Sequence, residues 1–439
     1  IDTILVNGKL FLKNEVEFSG SKFRDSVSVL AMLTVNSNRQ LLGKSLTTQN
    51  LFSEPIWDRD HIEIKLDSNH ENSSNLIRLK AEIDFLKDST RIKLLPSRIN
   101  VLNKEWKINQ KNFMLNKGKE WEIHHLQLYN DVESIMIDGA ISQQPEKTLN
   151  VTVTQLNLNI IDAISTENFT GILNGEVTAK DIYQNTYFQN HLKVDALTIN
   201  NFLIGDINGN NTWNRTKSVF DIDFTIDRLK QRTVSLSGYY DQEKKNPLFL
   251  HATLAKTNLR IIEPILRGIF SNINGTLTGE YDITGSFAHP MVNGEGQIEN
   301  GQMTIDYLKT TYRLDGKLKM NPTQIIFNDI TVTDAFENKG SFDGYLTHMN
   351  YNNFRVVLNA SFNNFQMLNT TSKDNSLFYG QAYATGVLNI LGSFENLKIS
   401  ATARSEKNTR IFIPLTSFES VEKKDFISFI NLTDTLALA

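Results

Sequence analysis

The feature that most constrains this chain is period-two alternation of apolar and polar residues, repeated along nearly its whole length. Val27, Val29, Ala31, Leu33 and Val35 share one phase, and Ile62, Ile64 and Leu66 share another. Ile222, Phe224 and Ile226 alternate with Asp221, Asp223, Thr225 and Asp227. Phe354, Val356, Leu358, Ala360 and Phe362 alternate with Arg355, Asn359 and Ser361. Successive strand side chains point to opposite faces, so each run makes a strand with one greasy and one wet side. Thr, Val, Ile, Phe and Tyr add strand propensity. Pairs such as Asn7-Gly8, Asp138-Gly139, Asn208-Gly209, Asn274-Gly275, Asn293-Gly294, Asp315-Gly316 and Asp343-Gly344 read as hairpin turns. The expectation is an all-β, antiparallel sheet. Helical periodicity is confined to Asn258–Phe270, with Leu259, Ile262, Ile265, Leu266 and Phe270 on one face, and to a weaker stretch from Asn159 to Ser165.

A sheet with one apolar face must hide that face, and this chain has no run of helices to cover it. A sandwich or an elongated sheet curled into an apolar-lined trough are the remaining solutions. The candidate lining is Val27, Val29, Leu33, Ile62, Ile64, Leu66, Ile135, Ile137, Val151, Val153, Ile222, Phe224, Ile226, Phe354, Val356 and Leu358. The phase slips between Val153 and Leu156, so the inward face is not fixed there. With strands of roughly 10 residues, about 40 of them at ~4.8 Å spacing make a sheet on the order of 190 Å long.

A long internal repeat is visible. Gln155–Asp181 and Lys256–Asp282 both run from an Asn-Leu-x-Ile-Ile segment into Gly-x-x-x-Gly and a strand. The glycines are Gly171 and Gly175, then Gly275 and Gly279. A degenerate third copy is read at Asn364–Gly386, with Gly380 and Gly386. Residues i and i+4 share a strand face, so such pairs suit a bend or the close approach of another segment. The chain divides into 1–149, a β-rich trough segment, and repeats at 150–254, 255–363 and 364–439, the last truncated.

Chemistry-bearing patterns are scarce. There is no cysteine, which excludes disulfides, thiolate metal sites and a cysteine nucleophile. The net charge is −4 and the basic residues are dispersed, which argues against nucleic acid. His124 and His125 are strand neighbours expected to face opposite ways, so they do not share a metal. Asp221, Asp223 and Asp227 lack the glycine and terminal glutamate of a calcium loop. Gly294-Glu295-Gly296 lacks the Lys-Ser/Thr of a phosphate loop, and Gly340-Ser341-Phe342-Asp343-Gly344 is no nucleophile elbow. Asn168-Phe169-Thr170 and Asn274-Gly275-Thr276 match the glycosylation sequon, which an Asn- and Thr-rich chain produces by chance. No cofactor and no catalytic or metal residue is expected. No stretch reaches the ~18 apolar residues of a membrane helix. Both ends read as cut from something longer, the last being Leu436-Ala437-Leu438-Ala439.

Between about Asn150 and Leu415 an ordered set of short motifs carries a family resemblance. It begins with the Asn-Leu-x-x-(Ile/Leu) segment leading to Phe270-Ser271 and Gly275-Thr276-Leu277-Thr278-Gly279. Gly285-Ser286, Pro290, Gly294-x-Gly296 and the run Ile305 to Tyr312 follow. Asp334, Gly340, Gly380, Thr385-Gly386, Gly392 and the run Thr409 to Leu415 complete it. The pattern resembles the TamB proteins of the translocation and assembly module, within the AsmA-like group. The resemblance implies a periplasmic protein held in the inner membrane by an N-terminal anchor absent from this sequence. It implies a BamA-like outer-membrane barrel of TamA type as partner, phospholipid as cargo, and a part in outer-membrane protein assembly. The alternatives are a scaffold or chaperone for strands of outer-membrane proteins, and an extracellular β-helical adhesin. An enzyme is the least favoured reading, because no acid/base or nucleophile constellation appears.

Overall fold

The computed structural model describes residues 1–414 except 23–28, 44–45, 72, 166, 184–186, 215–216, 267, 269 and 394–395; for 163, 264 and 265 it describes the backbone alone. The described residues form one antiparallel sheet of 28 strands. Each strand pairs with its sequence neighbour, so the sheet is a meander. In three places a strand is broken but keeps its rung. Thr90–Leu94 and Arg98–Val101 both pair with Leu76–Phe85. Lys104–Ile108 and Phe113–Lys117 both pair with Glu120–Tyr129. Asn396–Ser405 and Arg410–Phe412 likewise share the strand Tyr379–Ser393. The 28 strands therefore make 25 rungs, on the order of 115 Å of sheet at ~4.8 Å per rung. The sequence estimate of 40 strands was too high because many strands are longer than 10 residues; Asn352–Thr370 has 19.

Among the described residues, helical structure is limited to two short segments in the internal repeat. The 3-10 turn Leu158–Ala163 follows Asn157, whose side chain accepts the Asn159 N–H. The segment Leu259–Leu266 follows Asn258, whose side chain accepts the Arg260 N–H. The same residue caps the same turn in both copies. The expected helix to Phe270 stops short, since Phe270 opens a strand. The third copy has no helical turn: Asn364, Phe365, Met367 and Leu368 lie inside one strand. The repeat boundaries at 150, 255 and 364 fall within the strands Thr148–Asn157, Leu248–Asn258 and Asn352–Thr370.

The Asp-Gly and Asn-Gly pairs mostly do not make turns. Asn7-Gly8 does, between Thr3–Val6 and Lys9–Lys22. Asp138-Gly139, Asn208-Gly209, Asn274-Gly275, Asn293-Gly294, Asp315-Gly316 and Asp343-Gly344 lie inside strands. Several of them serve β-bulges. Seven bulged residues with positive φ each donate their N–H to a side-chain oxygen on the following strand. The donors His125, Gln155 and Ala196 reach Asp138, Asn174 and Asp206. Lys256, Asn300, Asp329 and Asn364 reach Thr278, Asp315, Asp343 and Thr385. These bulges recur on alternate rungs, skipping Val219–Arg228. A bulge bends its strand and sharpens the local twist, so a line of them folds the sheet lengthwise.

Part of the buried apolar core follows this line. Ile123, Leu156, Ile298, Ile330, Phe362 and Phe365 each flank a bulge and are all buried. Ile298, Leu314 and Ile330 form one packed cluster, and Tyr312, Phe362 and Phe365 another. The curl brings non-adjacent strands together. The Tyr312 ring stacks 5.0 Å from that of Phe365, and its hydroxyl donates to the Gln366 carbonyl at 2.8 Å.

Candidate functional site: an apolar face shared by the whole sheet

Residues directly opposite in an antiparallel pair point to the same face. The pairing register therefore traces rows across the sheet. One row starts at Ile108 and passes through Leu128, Ile135, Val153, Gly175, Leu192 and Gly209. It continues through Phe224, Leu236, Ala252, Tyr281, Gly294 and Met320. It ends through Ile325, Leu346, Val356, Gly392 and Leu397. Every position is apolar, aromatic or glycine. A parallel row runs from Leu156 and Leu173 through Val194, Ile207, Ile226, Val234 and Leu254. It goes on through Gly279, Gly296, Leu318, Phe327, Gly344, Leu358, Ile390 and Ile399.

The N-terminal rungs extend the same face. Ala31, Trp57, Ile62, Ile83, Ile92 and Met114 are aligned, and lead through Ile123, Gly139 and Leu149 to Ala179 and Phe188. Gly139 and Leu149 sit on the same strand face as Ile135 and Val153. The apolar face is thus continuous from Val29–Leu41 to Asn396–Ser405 among the described residues. On the opposite face the corresponding row reads Thr225, Ser235, Thr253, Glu280, Glu295, Lys319. Polar pairs also enter the apolar side, as where Asn211 donates to Asn190 at 2.7 Å, aligned with Ile222 and Val177.

Val27 lies outside the described residues. Val29 and Leu33 share a face and pair with Lys22 and Phe18. Ile62, Ile64 and Leu66 pair with Trp57, Pro55 and Ser53. Ile135 and Ile137 pair with Val153 and Val151. Phe224, Ile226, Val356 and Leu358 lie in the rows above, Ile222 is aligned with the Asn190–Asn211 pair, and Phe354 stands beside the His348 ring. Most of these side chains are half-buried, touching neighbours while keeping a solvent-facing side. Gly175 and Gly279 are row members that the alternation does not reveal. A Cβ at Gly175 would overlap the Leu192 side chain, and one at Gly279 would overlap the Glu295 backbone oxygen. Gly171, Gly275, Gly380 and Gly386 likewise meet neighbouring-strand backbone.

His124 and His125 depart from the alternation argument. The bulge puts both on the polar face, with separate partners. His124 stacks 4.3 Å from Phe113, and His125 Nδ1 sits 3.1 Å from Asp138.

Residues 328–437 match the family model of the TamB C-terminal domain. The chain carries a TamB C-terminal domain over these residues. The match falls on the last described rungs, where both long rows end at Leu397 and Ile399, and it overlaps the second half of the stretch 150–415 that carries the resemblance. No curated protein and no solved structure matches the chain. TamB proteins are a non-enzymatic family of the translocation and assembly module, and the domain places the chain in envelope biogenesis. TamB proteins span the periplasm and act in a TamA/BamA-type partnership.

Proposed function

We propose that this chain is a TamB-type conduit that carries phospholipid between the inner and outer membranes, and that it supports outer-membrane protein assembly beside a BamA-like barrel. The single observation that carries the reading is the unbroken apolar row from Ile108 to Leu397. Burying a methylene is worth about 0.8 kcal/mol, so one acyl chain laid along the face gains on the order of 10 kcal/mol. Each rung offers nearly the same lining as the next, so a lipid moves along the face without climbing out of a deep well. The headgroup stays in water, and no catalytic step or cofactor is required. In this reading the chain lies in the periplasm, tethered to the inner membrane.

Phe224→Arg or Leu346→Arg places a charge in the row at a half-buried position. Each variant is expected to fold and to slow lipid transfer between donor and acceptor vesicles at least tenfold, since a desolvated charge opposes each passing chain. Unchanged transfer with both rungs charged would sink the conduit.

A second reading, a scaffold that accepts strands of outer-membrane proteins, is favoured by one observation. Asn396–Ser405 pairs only with Tyr379–Ser393 among the described residues, and Ile399 on it is 60 % exposed. An edge of that kind templates strand addition.

A further inference from the structure

Where the helical segment Leu259–Leu266 interrupts the meander, it walls a cavity of about 510 Å³ whose chemistry differs from the rest of the apolar face. Two guanidinium groups enter it. Arg228 and Arg260 sit 5.0 and 5.2 Å from the centre of the same ring, Phe202. The Arg228 Nε donates to the Leu203 carbonyl at 2.9 Å, which fixes the plane of the guanidinium and leaves its two terminal nitrogens for another acceptor. No carboxylate pairs with Arg228 among the described residues. A carboxylate also lines the cavity. Glu263 Oε2 has no hydrogen-bond partner among the described residues; Arg260 Nε forms an ion pair with it at 3.7 Å, beyond hydrogen-bond range. A buried, unsatisfied carboxylate oxygen is costly.

These groups define a ligand. A simple anion satisfies the guanidiniums but lies against Glu263, and a simple cation does the reverse. We infer that the cavity binds a zwitterionic phosphodiester of the phosphoethanolamine class, its phosphate on Arg228 and Arg260 and its ammonium on Glu263. Guanidinium pairs phosphate through parallel hydrogen bonds, and Phe202 holds both guanidiniums in place. The first repeat copy makes the contrast. There the turn carries Asn159 in place of Arg260, and Asp162 in place of Glu263 accepts the Phe169 N–H at 2.7 Å. That carboxylate caps its own strand; the one in the second copy does not.

The inference rests on the phospholipid reading of the apolar face, and the placement fits it. Arg228 lies two residues beyond Ile226 and continues the line Ile222, Phe224, Ile226 on one strand. From Arg228 back to Ile222 the strand runs on the order of 20 Å, the length of a long acyl chain. A smaller annex of about 70 Å³ shares Phe202, Arg260 and Glu263 and adds Ile199, Ile204 and Ile261. A headgroup seated here leaves its chains over apolar side chains.

The test uses calorimetric titration of the full chain with short-chain phosphatidylethanolamine, short-chain phosphatidylglycerol, glycerophosphoethanolamine, inorganic phosphate and a short-chain diacylglycerol. Arg228→Ala with Arg260→Ala is expected to weaken phosphatidylethanolamine about tenfold or more and to leave diacylglycerol unchanged. Glu263→Gln is expected to weaken phosphatidylethanolamine about tenfold and to leave phosphatidylglycerol as tight or tighter. Arg260→Ala alone, at a half-exposed side chain, serves as the variant least able to disturb folding. Phosphatidylethanolamine binding that is indifferent to all three changes overturns the site, as does inorganic phosphate binding equally tightly. Glycerophosphoethanolamine binding as tightly as the diacyl lipid assigns the cavity to a soluble phosphodiester and overturns the lipid source. Diacylglycerol failing to bind while the headgroup probes still depend on the arginines contradicts the conduit and leaves the headgroup site standing.

Discussion

Tyr281 shows how tightly single residues are fitted to the apolar face. Its ring lies where a Cβ on Gly294 or Gly296 would collide with it, so those glycines are spaces the tyrosine fills. Burial pushes its phenol up to about 12, and its hydroxyl is buried without a hydrogen-bond partner among the described residues. Tyr281→Phe removes an unsatisfied polar atom and keeps the ring, so the thermal midpoint is expected to stay or rise; a fall of several degrees would show that the hydroxyl is used. Gly279→Val does the opposite. It drives a side chain into the Glu295 backbone and is expected to cost about 1–3 kcal/mol in urea unfolding. On the polar side, the hydrogen bond between Asp84 and His61 lowers the Asp84 pKa and raises that of His61. The Asp84 contribution is present above the ordinary carboxylate pKa of about 3.8 and is lost as pH falls through its lowered value. The His61 contribution is complete below 6.5 and is lost as pH rises through its raised value. The stability difference between the wild type and Asp84→Asn should therefore peak near pH 5 and shrink on both sides. Arg91, 2.8 Å from Asp84, keeps part of it at high pH. A difference flat from pH 3 to 8 would contradict the linkage.

At the scale of strands and turns, the bulge is the recurring device. Asp343 accepts the N–H of Asp329, which sits at φ 50°, at 2.7 Å. Asp343→Ala is expected to cost about 1 kcal/mol and to speed hydrogen exchange at the Asp329 amide, while Asp343→Asn keeps the acceptor and most of the protection. Equal exchange in all three proteins would show that the bulge holds without its clamp. These bulges also explain what the sequence could and could not tell. Period-two alternation locates the strands and their apolar side, because side-chain phase is a local property. The slip between Val153 and Leu156 is a bulge, and so are the three-residue steps Ile123 to Leu126, Phe327 to Ile330 and Phe362 to Phe365. The Asp-Gly pairs misled because both residues suit tight turns. Here the aspartate serves a bulge on the preceding strand and the glycine admits the backbone of the next, contacts that are far away in sequence. Asn157 and Asn258 were legible as parts of a repeat, but not as caps. Arg228 was hidden because it ends the apolar series Ile222, Phe224, Ile226 and reads as an ordinary strand terminus.

For the whole molecule, the decisive property is that register aligns strands whose sequences differ. A slip of one residue on any rung would place polar side chains in the row. Instead Ile108 to Leu397 are joined without a charged residue, over about 80 Å of sheet. That length is shorter than the sequence suggested, but the face is one surface and not a chain of separate pockets. The most direct test is photo-crosslinking in cells, with the reactive residue placed at Leu128, Phe224 or Leu346 in the row and at the outward neighbours Thr225 and Tyr345. The account predicts phospholipid adducts at all three row positions and none at the outward pair. Adducts to protein alone, or lipid adducts equally on both faces, would contradict it.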